Sequence, residues 1–188
     1  MKQLSLTKRI CIGAVCIALC YILPLAFHAF GAGSALSPMH IPVLLCGLIC
    51  GGGYGFFCGI AGPILSSVLS GMPPATALIS MIPELCIYGL VTGLLMKFIR
   101  TGKVAADLYL CLVPAMLAGR IVGGIAKALF YMGNSESYSL ALWAGAYFVE
   151  SFPGIIAHLI FVPLLVILLT KVGLIPSRYP RKGTVSCE

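Results

Sequence analysis

Apolar stretches about as long as a bilayer is thick follow one another along most of the chain, and this feature constrains the fold most strongly. A transmembrane helix needs about 20 predominantly apolar residues at ~1.5 Å of rise per residue. The 188 residues are 60% apolar, with 12 Lys or Arg and 5 Asp or Glu, whereas about a quarter of an average soluble domain is charged. The pattern predicts an all-α membrane protein, a single domain of six transmembrane helices.

The expected helix bounds come from the apolar runs and the breaks between them. Glycines 51–53 are read as a tight turn between the second and third helices, and the prolines at 73 and 74 end the third, because proline restricts the residue before it and donates no hydrogen bond. The first run could instead be a signal peptide, although it is longer than the usual ~7 to 15 apolar residues. The predicted helices cover residues 10–30, 41–53, 54–70, 75–98, 106–131 and 142–169, and residues 171–188 form a tail.

Ten of the twelve lysine and arginine residues occur in three clusters that fall at one side of the predicted bundle. The loops at 31–38, 70–75 and 132–141 contain neither residue type. By the positive-inside rule, both termini are therefore expected in the cytoplasm. Nucleic-acid binding is excluded, because it needs cations clustered on an exposed polar face. The cations of this chain lie between apolar runs instead. The clusters are Lys2, Lys8 and Arg9; Lys97, Arg100 and Lys103; and Lys171, Arg178, Arg181 and Lys182.

Cysteines and small residues recur at helical spacing. Cys16 with Cys20 and Cys46 with Cys50 are four residues apart, which allows a soft metal site but favours helix packing by small polarizable side chains. No metal is therefore expected. Stripes of small residues let helix backbones approach closely; they are Gly51, Gly55 and Gly59, then Gly119 and Gly123, and Ala14 with Ala18.

Four charged residues are expected at membrane depth, where charge is costly and usually functional. They are Glu84, Arg120, Lys127 and Glu150, and the helical rise places all of them in the outer half of the bilayer. His28 and His40 are expected near the outer ends of the first two helices.

The charged residues belong to polar stripes that share helix faces. These stripes predict a water-accessible pocket open to the outside, in which Arg120 and Lys127 hold a carboxylate or phosphate and the acids orient them or accept ligand hydrogens. The alternative is that buried ion pairs merely brace the bundle. The stripes are Glu84 and Tyr88; Arg120, Lys127 and Tyr131; and Glu150, Gly154 and His158.

Enzyme signatures are missing from the sequence. There is no Ser/His/Asp arrangement, HExxH motif, P-loop or CxxC, so neither enzymatic activity nor a cofactor is expected. Because the sequence contains no nucleotide-binding fold, any transport must be driven by an ion gradient or by the ATPase of another protein. An outward-facing capture subunit is favoured over a stand-alone secondary transporter for a small organic solute and over a membrane scaffold protein.

Several segments resemble the substrate-binding S components of energy-coupling factor (ECF) vitamin transporters of the riboflavin and pantothenate type. The resemblance spans about residues 8–170. The segments are LSPMHIPVLLCG at 36–47, GMPP at 71–74, Glu84 with YGLVTGLL at 88–95, and AGRI at 118–121.

This resemblance implies a bacterial plasma-membrane protein of six helices that binds a vitamin in its outer half, with the loop between helices 1 and 2 as a lid. Its implied partners are a transmembrane coupling protein, contacted by an Ala-xxx-Ala motif that Ala14 and Ala18 match, and two ATPase subunits. An Asp-rich segment expected in helix 2 of riboflavin binders is replaced by MHIP at 39–42, which favours an anion such as pantothenate. The candidate ligand-binding residues are His28, Met39, His40, Glu84, Tyr88, Arg120, Lys127, Tyr131, Asn134, Glu150 and His158.

Overall fold

The computed structural model describes residues 4–29, 37–133, 145, 152–175 and 179. These residues form six α-helices and, within those ranges, no strand. The all-helical fold class is as predicted. The helices are α1 (Leu6–Ala29), α2 (His40–Cys50), α3 (Gly52–Ser70), α4 (Ala75–Phe98), α5 (Val104–Gly133) and α6 (Phe152–Lys171).

Five of these helices are long and apolar enough to cross a membrane. The exception is α2, whose 11 residues extend only ~16 Å against a hydrocarbon core of about 30 Å. Within the described residues, there are thus five membrane-length helices, whereas the sequence predicted six. The α2 helix ends three residues before the predicted limit at residue 53, and residues 142–151 of the predicted sixth helix lie outside the described residues apart from Gly145.

A single residue, Gly51, connects α2 to α3. Its φ of 103° lies in a region that residues with a Cβ rarely adopt, and its N–H still donates to the Gly47 carbonyl. The expected three-glycine turn is therefore shorter than predicted, because Gly52 and Gly53 already belong to α3.

The short α2 helix lies at the centre of the bundle. It contacts α1, α3, α4 and α6, and every residue in it except Ile41 is buried. It runs parallel to α4, because His40 at its start lies beside Glu84 while a Cβ on Gly47 near its end would meet the Gly89 backbone. Burial on all sides explains its almost wholly apolar sequence.

Glycines allow α3 and α5 to pack closely on α4. A Cβ on Gly59 of α3 would lie 2.7 Å from the Leu85 carbonyl oxygen, and one on Gly123 of α5 would lie 2.9 Å from Glu84 Cβ. The predicted role of these glycine stripes agrees with these contacts. Gly51 is the exception, since it links two helices and a Cβ there would meet nothing within 4 Å.

Buried thiols fill the space where α1, α2 and α3 meet. The Cys46 thiol contacts those of Cys16, Cys50 and Cys58, and the Cys20 thiol contacts that of Cys58. All of these cysteines are free and buried. In the described part of the chain, no group of three or more His, Cys, Asp or Glu side chains is arranged to hold a metal ion.

Candidate functional site

A buried cluster of polar side chains joins α2, α4 and α6. His40 is the first residue of α2, Glu84 and Tyr88 lie on α4, and His158 lies on α6. Glu84 and Tyr88 share a face of α4 because they are four residues apart. We call these four residues, together with the Ser37 carbonyl, the polar cluster.

Glu84 organises the α4 side of the polar cluster. The Tyr88 hydroxyl donates a hydrogen bond of 2.7 Å to Glu84 Oε1, and His40 Nε2 lies 3.7 Å from the same oxygen. The His40 and Tyr88 rings are 5.3 Å apart between centroids. One carboxylate oxygen thus connects residues that are up to 48 positions apart in the sequence.

The Ser37 carbonyl connects the two histidines. It lies 3.0 Å from His40 Nδ1 and 3.3 Å from His158 Nε2, and the two rings stack with centroids 5.4 Å apart. Ser37 has a φ of 42°, which is uncommon for a residue with a side chain. The sequence analysis missed Ser37 because its contribution is a backbone atom, although the Ser-Pro pair before a helix start is a recognised turn signal.

Arg120 on α5 lies at the same level as the polar cluster. It is between Gly119, which packs on the Tyr88 ring and the Glu84 carbonyl, and Gly123, which packs on the Glu84 side chain. Arg120 is 4% exposed. A buried guanidinium is strongly favoured only when an anion or several acceptors face it, and its planar fork can bind a carboxylate in bidentate fashion.

The other predicted site residues differ in what the structure shows. Lys127 and Tyr131 are half-buried, further along α5. Met39 is buried in the apolar core, and its carbonyl accepts a hydrogen bond of 3.7 Å from the Cys20 thiol. The side chain of His28, and both Asn134 and Glu150, lie outside the described residues.

The described charges near the polar cluster are the Glu84 carboxylate and, at the same level on α5, the buried Arg120 guanidinium. Lys127 lies about two turns further along α5. A guanidinium has the geometry to bind an anionic group, and Glu84, Tyr88 and the histidines have hydrogen-bond donors and acceptors suited to the neutral part of a ligand.

The model of one protein family matches this chain over residues 8–166, and its description is the substrate-specific component of ECF transporters. The chain belongs to this family. No curated protein and no solved structure gave a significant match.

Because the chain belongs to the ECF substrate-specific component family, it is a membrane transport protein. Its five described helices of membrane length agree with this. The family match includes every helix that contributes to the polar cluster, and it ends within α6. The resemblance to the family is thereby confirmed, while the riboflavin and pantothenate subtype stays a prediction.

Proposed function

We propose that this ECF family member captures a water-soluble vitamin or related micronutrient at the polar cluster, and that the favoured ligand is an anion of the pantothenate kind. The observation that carries the proposal is the burial of Arg120 level with Glu84 and the two histidines. Bracing the bundle would not require a tyrosine and a histidine beside the same carboxylate, with a second histidine stacked on the first.

The chemistry of the residues supports a carboxylate with a hydroxylated or amide-bearing body. Arg120 is suited to the carboxylate, and Lys127 adds a second positive charge along the same helix. The Glu84 carboxylate and the histidine nitrogens are suited to hydroxyl and amide groups. His28, Asn134 and Glu150 remain candidate contacts in this proposal, as does Met39 through its backbone.

The energy source in this proposal is an ECF module of a transmembrane coupling protein and two ATPase subunits in the bacterial plasma membrane. Ala14 and Ala18 are both exposed on α1, which leaves them accessible to a coupling protein. Arg9, Lys97 and Arg100 line one cavity, so two of the three cation clusters share one end of the bundle. The positive-inside rule makes this end cytoplasmic.

The proposal is tested by ligand binding to the purified chain without any partner. Native mass spectrometry of the protein from a vitamin-replete host should reveal a retained small molecule, and titration should then give its affinity. Arg120→Met should weaken binding roughly 100-fold or more, because it removes a desolvated charge partner. Lys103→Met, which removes an exposed cation at the other end, is the matched control and should bind normally.

Arg120→Lys separates loss of binding from loss of folding. It keeps the charge but not the bidentate geometry, so it should fold and bind with intermediate affinity. Unchanged binding by a folded Arg120→Met protein would favour the scaffold interpretation. Uptake by the chain alone in proteoliposomes under an ion gradient would favour a secondary transporter.

A further inference from the structure

A cavity of about 530 Å³ lies at the end of the bundle opposite the polar cluster. Four helix ends form its walls: the start of α1, the end of α2, the start of α3 and the end of α4. Glu84 and Lys97 are 13 residues apart on α4, which separates the two sites by ~20 Å. We call this second site the cationic cavity.

The cationic cavity carries charge of one sign. Arg9, Lys97 and Arg100 line it, and none of the described lining residues is acidic. Of the acids in the described part of the chain, Glu84 belongs to the polar cluster, and Asp107 accepts hydrogen bonds from Thr101 and Tyr179. Three cations around one hollow strongly favour an anionic ligand.

The backbone at the start of α3 adds hydrogen-bond donors. The first-turn N–H groups of a helix have no acceptor within the helix, and they carry the positive end of its dipole. In α3 they belong to Gly52, Gly53 and Tyr54, all of which line the cavity. Backbone donors of this kind can bind phosphate groups, and here they line the same cavity as three cationic side chains.

Gly53 has no structural reason to be glycine. The φ of 103° at position 51 favours glycine, and a Cβ on Gly52 would come within 2.8 Å of the Leu90 carbonyl oxygen. A Cβ on Gly53 would meet nothing within 4 Å, and its φ is not in the left-handed region. The bare backbone there leaves space for the close approach of a ligand.

Arg9 is held at the cavity by the fold. Its carbonyl accepts a hydrogen bond of 3.7 Å from the Cys50 thiol, which joins the start of α1 to the end of α2. Its side chain is half-buried, whereas Lys97 and Arg100 are exposed. The site therefore combines one half-buried cation with two exposed ones.

From these observations, we infer that the cationic cavity binds a phosphate group. Leu48, Ile49, Leu94 and Met96 line the same cavity, so the ligand can carry an apolar part beside its phosphate. An anionic phospholipid fits both halves of the cavity, and basic pockets between helices commonly bind such headgroups. A free phosphate or soluble phosphate ester has the same recognition chemistry and is the second source to test.

The test uses the full chain in nanodiscs that contain equal amounts of phosphatidylglycerol and phosphatidylcholine. Native mass spectrometry should find phosphatidylglycerol retained preferentially. Lys97→Gln combined with Arg100→Gln should reduce this preference roughly 10- to 30-fold. Lys103→Gln removes a cation from the same helix connection without touching the cavity lining, so it should keep the preference.

Gly53→Glu provides a second variant that should fold. Its carboxylate would enter the open space beside Gly53 at the start of α3, where the helix dipole favours a negative charge. It should abolish the preference for phosphatidylglycerol without lowering the unfolding temperature.

A separate measurement identifies the source of the phosphate. Inorganic phosphate is added to the protein in phosphatidylcholine alone, with chloride at equal ionic strength as the reference. A rise in unfolding temperature that disappears in Lys97→Gln/Arg100→Gln but persists in Lys103→Gln would assign the site to a free phosphate. Retained phosphatidylglycerol with no such rise would assign it to the lipid.

The inference would be overturned if the wild type showed neither effect, or if Lys103→Gln lost as much as the double variant. The latter would indicate a diffuse surface charge. Arg120→Met should bind phosphatidylglycerol normally, so failure of the vitamin-binding proposal leaves this test intact.

Discussion

The polar cluster and the cationic cavity differ in how their charges are accommodated. In the polar cluster, Glu84 is almost wholly buried and accepts a hydrogen bond from Tyr88. Arg120, at the same level on α5, is almost wholly buried too. In the cationic cavity, Lys97 and Arg100 are exposed and no acid faces them within the lining. Buried charge requires nearby compensation, whereas exposed charge does not.

In the proposed function, the two ends serve different steps. The polar cluster binds the small solute, and the other end, with its open cavity and exposed cations, contacts lipid or a partner. The exposed Ala14 and Ala18 lie between the start and the middle of α1. We therefore expect changes at one end to leave the function of the other intact.

The largest effect that distinguishes transport from vitamin binding is expected from tryptophan at Ala14 and Ala18 of α1. Ala14→Trp and Ala18→Trp should abolish transport by the assembled ECF complex, because each adds a bulky ring where close helix contact is proposed. Binding of the vitamin to the isolated chain should be unchanged. Uptake into proteoliposomes and equilibrium binding measure the two steps.

Ala26→Trp is the control for this prediction. Ala26 is exposed and lies about 12 Å beyond Ala18 along α1, so it adds the same ring outside the contact proposed around Ala14 and Ala18. Equal transport by all three tryptophan variants and the wild type would contradict the docking assignment.

A smaller effect should distinguish two glycines of α3 that lie in different surroundings. Gly59→Ala should lower the free energy of unfolding by about 1–3 kcal/mol, because its Cβ would overlap the α4 backbone. Gly53→Ala should be neutral or stabilise the helix by up to about 1 kcal/mol, since its Cβ meets nothing. Thermal and denaturant unfolding in the same detergent compare them.

The matched substitutions make the glycine comparison sharp, because both add one methyl group to the same helix. If Gly53→Ala destabilised the protein as much as Gly59→Ala, the open space beside Gly53 would be disproved. A ligand could then not approach the Gly53 backbone as closely as inferred.

The smallest loss of function should come from Tyr88→Phe in the polar cluster. This change removes the hydroxyl that donates to Glu84 but keeps the ring that packs on Gly119. Loss of one hydrogen bond to a charged group should lower the unfolding free energy by about 1.5–3 kcal/mol at most and weaken vitamin binding severalfold, far less than Arg120→Met does.

The matched control for Tyr88→Phe is Tyr109→Phe, on the exposed part of α5. It removes the same atom outside the cluster and should change neither quantity. A Tyr88→Phe protein that bound the vitamin as tightly as wild type would limit the role of this hydrogen bond to bracing the bundle.

Some features of the candidate site follow from local periodicity and could be predicted. Glu84 and Tyr88 share a face at a spacing of four, and they form the expected pair. The predicted helix over residues 75–98 coincides with α4, because prolines precede it and a run of polar residues follows. Nothing in that reasoning required knowledge of a neighbouring helix.

Other features depended on contacts that no local pattern specifies. Local patterns did not predict that α2 is short and central, that a Ser37 carbonyl joins two histidines, or that Arg9 and Lys97 share a cavity. These features depend on how helices are shifted and rotated against one another. That arrangement results from many weak packing contacts summed over the bundle.

The sequence by itself determined that the protein lies in a lipid bilayer and that it is helical. Apolar runs with so few charges are stable mainly as helices in lipid, because each backbone group there must find its hydrogen-bond partner internally. It also determined which residues share a helix face. Only the tertiary structure decided which faces meet: it set Glu84 against His40, packed Gly59 against α4 and left Gly53 open. The physical reason is that helical period is a property of one segment, whereas the register between helices depends on the close-packed fit of all of them.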